Sequence, residues 1–172
     1  MPRHSELAKI ERTGLQVTKL SLGTAPLGGL FTSVPEADSD GVIAAAFAAD
    51  INFYDTAPLY GFGRAEVRLG RGLNAANKPY VLSTKVGRVL NPVSGSAVAG
   101  GLAEFADADT TVEPIFDYSA KGIRRSFEES LVRLGVDRID VALKIAQCAE
   151  RVACASNLDD CVDFYLNTTN NS

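Results

Sequence analysis

Ile51-Asn52-Phe53-Tyr54-Asp55-Thr56-Ala57-Pro58-Leu59-Tyr60-Gly61 is the stretch on which the reading of this chain turns. Its first four residues make a short, mostly apolar run of strand length. The polar and turn-forming residues that follow place a carboxylate and a phenol at the end of that strand. A second apolar run, Tyr80-Val81-Leu82-Ser83-Thr84, closes on Lys85. In parallel α/β folds the C-terminal strand ends share one face, so Asp55, Tyr60 and Lys85 are predicted to converge there.

Working outward, Lys9 to Val17 reads as two extended pieces around Thr13-Gly14, a β-hairpin, because glycine supplies the positive φ of a tight turn. Val17 to Thr24 reads as the first core strand, ended by Gly23 and the loose segment Ala25 to Gly29. Pro35-Glu36 opens a helix, with proline suited to the first turn and an acidic residue to the positive end of the dipole, and Val42 to Ala48 continues it. The unit repeats with a strand over Ile51 to Tyr54, a helix over Ala65 to Leu73 and a strand over Tyr80 to Thr84. Ala120 to Leu134 has helical spacing at Ile123, Phe127, Leu131 and Leu134 and stops at Gly135. Arg138 to Leu143 is the fourth core strand. Four βα repeats, less the last helix, predict an α/β fold with a parallel sheet. Between them, Val86 to Tyr118 is a loop of about 33 residues without a period, far beyond the ~15 usual in compact domains. It leaves a C-terminal strand end, where it is expected either to serve as a substrate-side loop or to be plain disorder.

The chain has 172 residues, of which 46% are hydrophobic, enough for one sizeable core and one domain. A net charge of -4 and scattered cations give no field for a nucleic-acid backbone. No apolar run approaches the roughly 20 residues of a membrane helix, and the N-terminus lacks a signal-peptide core, so a cytoplasmic protein with neither nucleic acid nor membrane as partner is expected. Cys148, Cys154 and Cys161 are spaced too widely for a metal knuckle, and the only histidine is His4, so no metal site is predicted. Asn167-Thr168-Thr169 and Asn170-Asn171-Ser172 match a glycosylation sequon that matters only in a secreted chain.

A tyrosine titrates near ~10 and works as an acid or base at neutral pH once a neighbouring ammonium lowers its pKa. Lys85 is the expected neighbour of Tyr60. A buried lysine in turn needs a carboxylate beside it, and Asp55 is the candidate. Carboxylate, ammonium and phenol form a proton-transfer chain suited to carbonyl-alcohol interconversion, which also needs a hydride carrier.

These residues resemble the aldo-keto reductase superfamily. Asp55-Thr56-Ala57-Pro58-Leu59-Tyr60-Gly61 looks like its D-x-A-x-x-Y-G signature, and Leu82-Ser83-Thr84-Lys85 like the segment bearing its active-site lysine. Ser126 to Asp140 looks like its next helix-to-strand signature. Phe116-Asp117-Tyr118-Ser119 is similar to the branch containing D-threo-aldose (L-fucose) dehydrogenase and pyridoxal 4-dehydrogenase. The resemblance, over roughly Lys9 to Leu143, implies a (β/α)8 TIM barrel, here a partial one of about four βα units preceded by the hairpin. It implies an oxidoreductase using NADP or NAD on a small aldehyde, ketone or sugar hemiacetal, giving the alcohol or lactone. It assigns Tyr60 as general acid/base, Lys85 and Asp55 as its tuners, and Gly23, Thr24 and Asp55 as neighbours of the nicotinamide.

Family members complete a tetrad with a histidine after the fourth strand, where this chain reads Val141-Ala142-Leu143-Lys144-Ile145-Ala146-Gln147-Cys148. The division expected is therefore residues 1–143 as the N-terminal half of the barrel and 144–172 as a divergent tail. Ile145, Val152, Leu158 and Val162 are read as the apolar face of a helix in that tail, followed by disorder. A truncated or frameshifted gene, or an alternative transcript, is the expected origin of the join. Two open sheet edges, on the first and fourth core strands, are expected to favour self-association. Beside the oxidoreductase stand two other readings: an inactive fragment that at most binds a partner or a second copy, and a small-ligand module built on the Val86 to Tyr118 loop.

Overall fold

Alternation along the third core strand sets the architecture, because Leu82 and Thr84 point one way and Val81, Ser83 and Lys85 the other. The computed structural model describes residues 5–10, 13–76, 78–93, 104–145 and 162–166. The elements are β1 (Leu7–Lys9), β2 (Gln16–Thr18), β3 (Leu22–Gly23), α1 (Glu36–Ala48), β4 (Phe53–Asp55), α2 (Arg64–Ala75), β5 (Val81–Val86), β6 (Arg88–Pro92), β7 (Val112–Phe116), α3 (Ala120–Leu134), β8 (Val141–Ile145) and β9 (Val162–Leu166). A central sheet has the order β3-β4-β5-β8-β9, and its first four strands run parallel. This is the α/β arrangement of a partial barrel. No helix among the described residues is long and apolar enough to cross a membrane.

One face of the sheet meets the helices. Tyr54, Leu82, Leu69, Leu73, Leu134 and Ile139 form its core, all nearly or fully buried. The opposite face carries Phe53, Val81 and Val141, on which Val17 of β2 packs together with Ile10 and Leu15. The predicted hairpin is thus present, β1 pairing antiparallel with β2, and it plugs the lower end of the inner face. Gly135, at φ 63, ends α3 by donating to the carbonyls of Leu131 and Val132, and Ser119 caps its start by accepting from the Gly122 amide.

Four expectations change. The run Val17 to Thr24 is not one strand: Thr18 belongs to the hairpin, and its hydroxyl donates to the Leu20 carbonyl at 2.7 Å, turning the chain before Leu22 enters the sheet. The Val86 to Tyr118 segment is not structureless, since β6 and β7 form an antiparallel ribbon from Arg88↔Phe116 to Pro92↔Val112. Val162, expected on a helix, lies in β9, and Ile145 lies in β8. β9 pairs antiparallel with β8, so the edge expected to be open on the fourth core strand is occupied, whereas β3 ends the sheet on the other side. His4, Val152, Leu158, the three cysteines and both sequons lie outside the described residues.

Candidate active site

The strands extend one or two residues further than the sequence pattern indicates, so Asp55 ends β4 and Lys85 lies within β5. The pairings Phe53↔Val81, Asp55↔Ser83↔Val141 and Lys85↔Leu143 put all of these residues on the inner face. Along that face the side chains change from apolar at the hairpin end to polar at the C-terminal end. The Lys85 ammonium reaches both oxygens of Asp55, at 2.6 and 2.7 Å, and the Thr56 carbonyl at 3.0 Å. Both partners are mostly withdrawn from water, with side chains 14% and 28% exposed, so the pair is screened far less than a surface ion pair. The Ser83 hydroxyl, fully buried on the same face, has no hydrogen-bond partner among the described residues.

Tyr60 arrives on a loop of consecutive turns between β4 and α2. Its amide donates to the Ala57 carbonyl, and its own carbonyl accepts from Ala65 at the start of the helix. Gly61 and Gly28 touch backbone to backbone: a Cβ on Gly61, at φ 62, would lie 2.5 Å from the Gly28 oxygen. That contact fixes the height of Tyr60 above the sheet. From the far side Phe105 packs on the ring, centroids 6.1 Å apart. The Lys85 ammonium lies 6.0 Å from the centre of the Tyr60 ring.

The expected lowering of the Tyr60 pKa does not occur. Burial raises it, and the negative charge of Asp55 raises it further. The reason is visible in the pair: the ammonium that was expected to favour a phenolate is turned onto a carboxylate. A tyrosine is a phenol at neutral pH in any case, and these influences keep Tyr60 so and make it a weaker acid than a free one.

Gly23 pairs with Asp55 in the sheet, and the amide and hydroxyl of buried Thr24 both donate to the Asp55 carbonyl, at 2.9 and 3.0 Å. All five residues singled out in the sequence, Gly23, Thr24, Asp55, Tyr60 and Lys85, therefore gather at the C-terminal end of adjacent strands. Lys144, at the end of β8, pairs with Val86, and its ammonium lies 6.0 Å from the centre of the Tyr118 ring.

Three parts of the site escaped the sequence reading. The first is an outer wall from the β6–β7 ribbon: Arg88, Phe116 and Tyr118 line a small cleft of about 50 Å³ together with Tyr60 and Lys85. The second is an anchor for residues 104–107. Asp107 accepts from Ser33, from the Val34 amide and from Arg68, a buried guanidinium that also donates to Glu36 and to the carbonyls of Leu27 and Val34. Burial alone would raise the Asp107 carboxyl, yet these donors outweigh it and lower it to about 2. This anchor holds Phe105 against Tyr60. The third lies behind β5: fully buried Glu66 accepts from Thr84 at 2.9 Å and from Arg133 at 2.6 Å, tying α2 and α3 to the strand that carries Lys85. The signal available was the pair of charges Glu66 and Arg68 on the inward stripe of a helix, which buried charge requires to be partnered.

Comparison with known proteins follows the same lines. The sequence pattern of the aldo/keto reductase family matches residues 19–159, running past Leu143. The chain is 40% identical over 143 residues to pyridoxal 4-dehydrogenase of Microbacterium luteolum, covering 80% of this chain and 42% of that protein. It is 38% identical over 135 residues to D-threo-aldose 1-dehydrogenase of a Pseudomonas species, covering 74% and 40%. Among solved structures, a glycerol dehydrogenase from Gluconobacter oxydans superposes with a TM-score of 0.62 at 30% identity, covering 81% of this chain and 39% of that one. The chain thus spans about two-fifths of the length of these relatives. The family pattern covers most of the chain, and the chain therefore belongs to the aldo/keto reductase family.

Proposed function

We propose that this protein is an oxidoreductase that uses a nicotinamide cofactor, NADP or NAD, to interconvert an aldehyde, ketone or sugar hemiacetal with its alcohol or lactone. The observation that carries this reading is the placement of a phenol beside a desolvated Lys85–Asp55 pair at one end of a parallel sheet. Tyr60 is the general acid. Its proton moves to the substrate oxygen as charge builds there, and in the reverse direction the phenolate takes it back. Lys85 and Asp55 position the floor beneath it and keep that floor close to neutral overall.

The cofactor supplies the hydride, which no side chain provides. Gly23, Thr24 and Asp55 are proposed to hold its nicotinamide end. A Cβ on Gly23 would meet nothing within 4 Å, so the described chain leaves the backbone there open to the ring that Gly23 and Thr24 would hold, and Thr24 ties the strand end down by donating twice to Asp55. The names of the relatives, which refer to pyridoxal and D-threo-aldose, make an aromatic aldehyde and an aldose the first substrates to try.

The test is titration with NADPH and NADH, followed by the fluorescence of the cofactor, and then turnover. Tyr60→Phe is expected to lower kcat by about 10²–10⁴ while cofactor affinity stays unchanged. Equal turnover by Tyr60→Phe refutes the assigned acid, and absence of cofactor binding at high micromolar concentration refutes the reading for this chain.

A further inference from the structure

Two cations line the cleft beside Tyr60, and counting their donors separates them. An ammonium has three N–H groups. In Lys85 all are engaged, by the two Asp55 oxygens and the Thr56 carbonyl. A guanidinium has five, and that of Arg88 makes no hydrogen bond or ion pair among the described residues. It lies 4.2 Å from the centre of the Phe116 ring, and Phe116 in turn stacks on Tyr118 at 5.7 Å.

We propose that Arg88 binds the carboxylate of a small carbonyl-bearing acid in this cleft, next to the carbonyl that Tyr60 protonates, an inference that rests on the oxidoreductase reading above. The ring face holds the guanidinium in place by a cation–π contact, and that contact uses none of the N–H pairs that match a carboxylate fork. Taking a cation out of water without an anion is costly, and burial is the main influence on Arg88, pushing its pKa down. Ala57, Pro58, Leu59 and Val86 make the rest of the lining near Tyr60 apolar, and beside the phenols of Tyr60 and Tyr118 Arg88 is the cation with donors to spare for a carboxylate. The position also fits: Arg88 opens β6 directly after Gly87, the single residue that separates it from the strand carrying Lys85.

Pyruvate and hydroxyacetone make the test, being ketones of similar size that differ in charge. Binding of each to the full chain is measured by isothermal titration for the wild type, Arg88→Gln and Arg88→Lys, alongside NADPH. Pyruvate is expected to bind the wild type more tightly than hydroxyacetone does, and to lose about tenfold in Arg88→Gln, with Arg88→Lys in between. Hydroxyacetone binding should change by less than about twofold, which also shows that the variant is folded. Equal pyruvate affinity in wild type and Arg88→Gln overturns the proposal. So does a fall in NADPH affinity as large as that for pyruvate, which assigns Arg88 to the cofactor. Arg88-dependent pyruvate binding without any turnover keeps the anion site and sinks the oxidoreductase reading instead.

Discussion

Lys85 and Asp55 close on each other through both carboxylate oxygens, at 2.6 and 2.7 Å, and so the charge that would acidify Tyr60 is spent within the pair. Asp55→Asn removes the negative charge that raises the phenol and leaves the ammonium uncompensated. Tyr60 is therefore expected to titrate at lower pH in this variant than in the wild type. The shift is measured by NMR of ring-labelled tyrosine, with Tyr60→Phe assigning the signal. An unchanged or higher value refutes the account of the pair.

Glu66 is fully buried beneath β5 and answers both Thr84 and Arg133. Glu66→Ala strands the guanidinium next to a low-dielectric core and is expected to cost about 3–5 kcal/mol, measured by urea unfolding followed by circular dichroism. Replacing Glu66→Leu and Arg133→Met together with Thr84→Val, so that no buried donor is left without an acceptor, should recover most of that loss.

Acid should loosen the wall that holds Phe105. Glu36, through its bonds first with Arg68 and then with Arg71, is lowered from 4.5 to about 2, and Asp107 from 3.8 to about 2. Both carboxyls are thus more acidic folded than unfolded. Their contribution is fully present above about pH 5 and is lost as pH falls through about 4 towards 2. Urea midpoints taken across that window are expected to fall for the wild type and to fall less steeply for Asp107→Asn. A pH-independent midpoint contradicts the network.

Gly61→Ala tests the backbone contact beneath Tyr60. The substitution places a methyl group 2.5 Å from the Gly28 oxygen at a residue whose φ is 62. Left-handed strain and overpacking together are expected to cost about 2–4 kcal/mol in thermal or urea unfolding. In the proposed reaction kcat should fall with little change in cofactor affinity, since the loop that moves carries Tyr60 and not Gly23.

Much of the site was legible because strand periodicity is rigid. Once Ile51–Tyr54 and Tyr80–Thr84 were read as parallel strands, Asp55 and Lys85 had to share an end, and the register Asp55↔Ser83 puts them on one face. The direction of the Tyr60 shift was not legible, since it depends on which neighbour Lys85 faces, a matter of a few ångströms. Arg88 and Phe116 were hidden in a segment read as loop. In β6 the buried residues Val89 and Leu90 are adjacent and do not alternate, and Pro114 within β7 argues locally against a strand. The division of Val17 to Thr24 was hidden for a different reason, because one hydroxyl bond from Thr18 to Leu20 breaks a run whose composition is uniformly that of a strand. Asp107 reaches Ser33 and Arg68 across long sequence separations, which no local pattern encodes.

A strand has two hydrogen-bonding sides, and those of β8 are taken by β5 and by β9. Lengthening the barrel in the parallel sense at this point is therefore an exchange reaction and not an addition. An incoming strand, from this chain or another, gains its backbone bonds only as β9 gives up the same ones, so the net driving force is a small difference between two similar ladders. At the opposite margin β3 contributes two residues, a short template for any further strand.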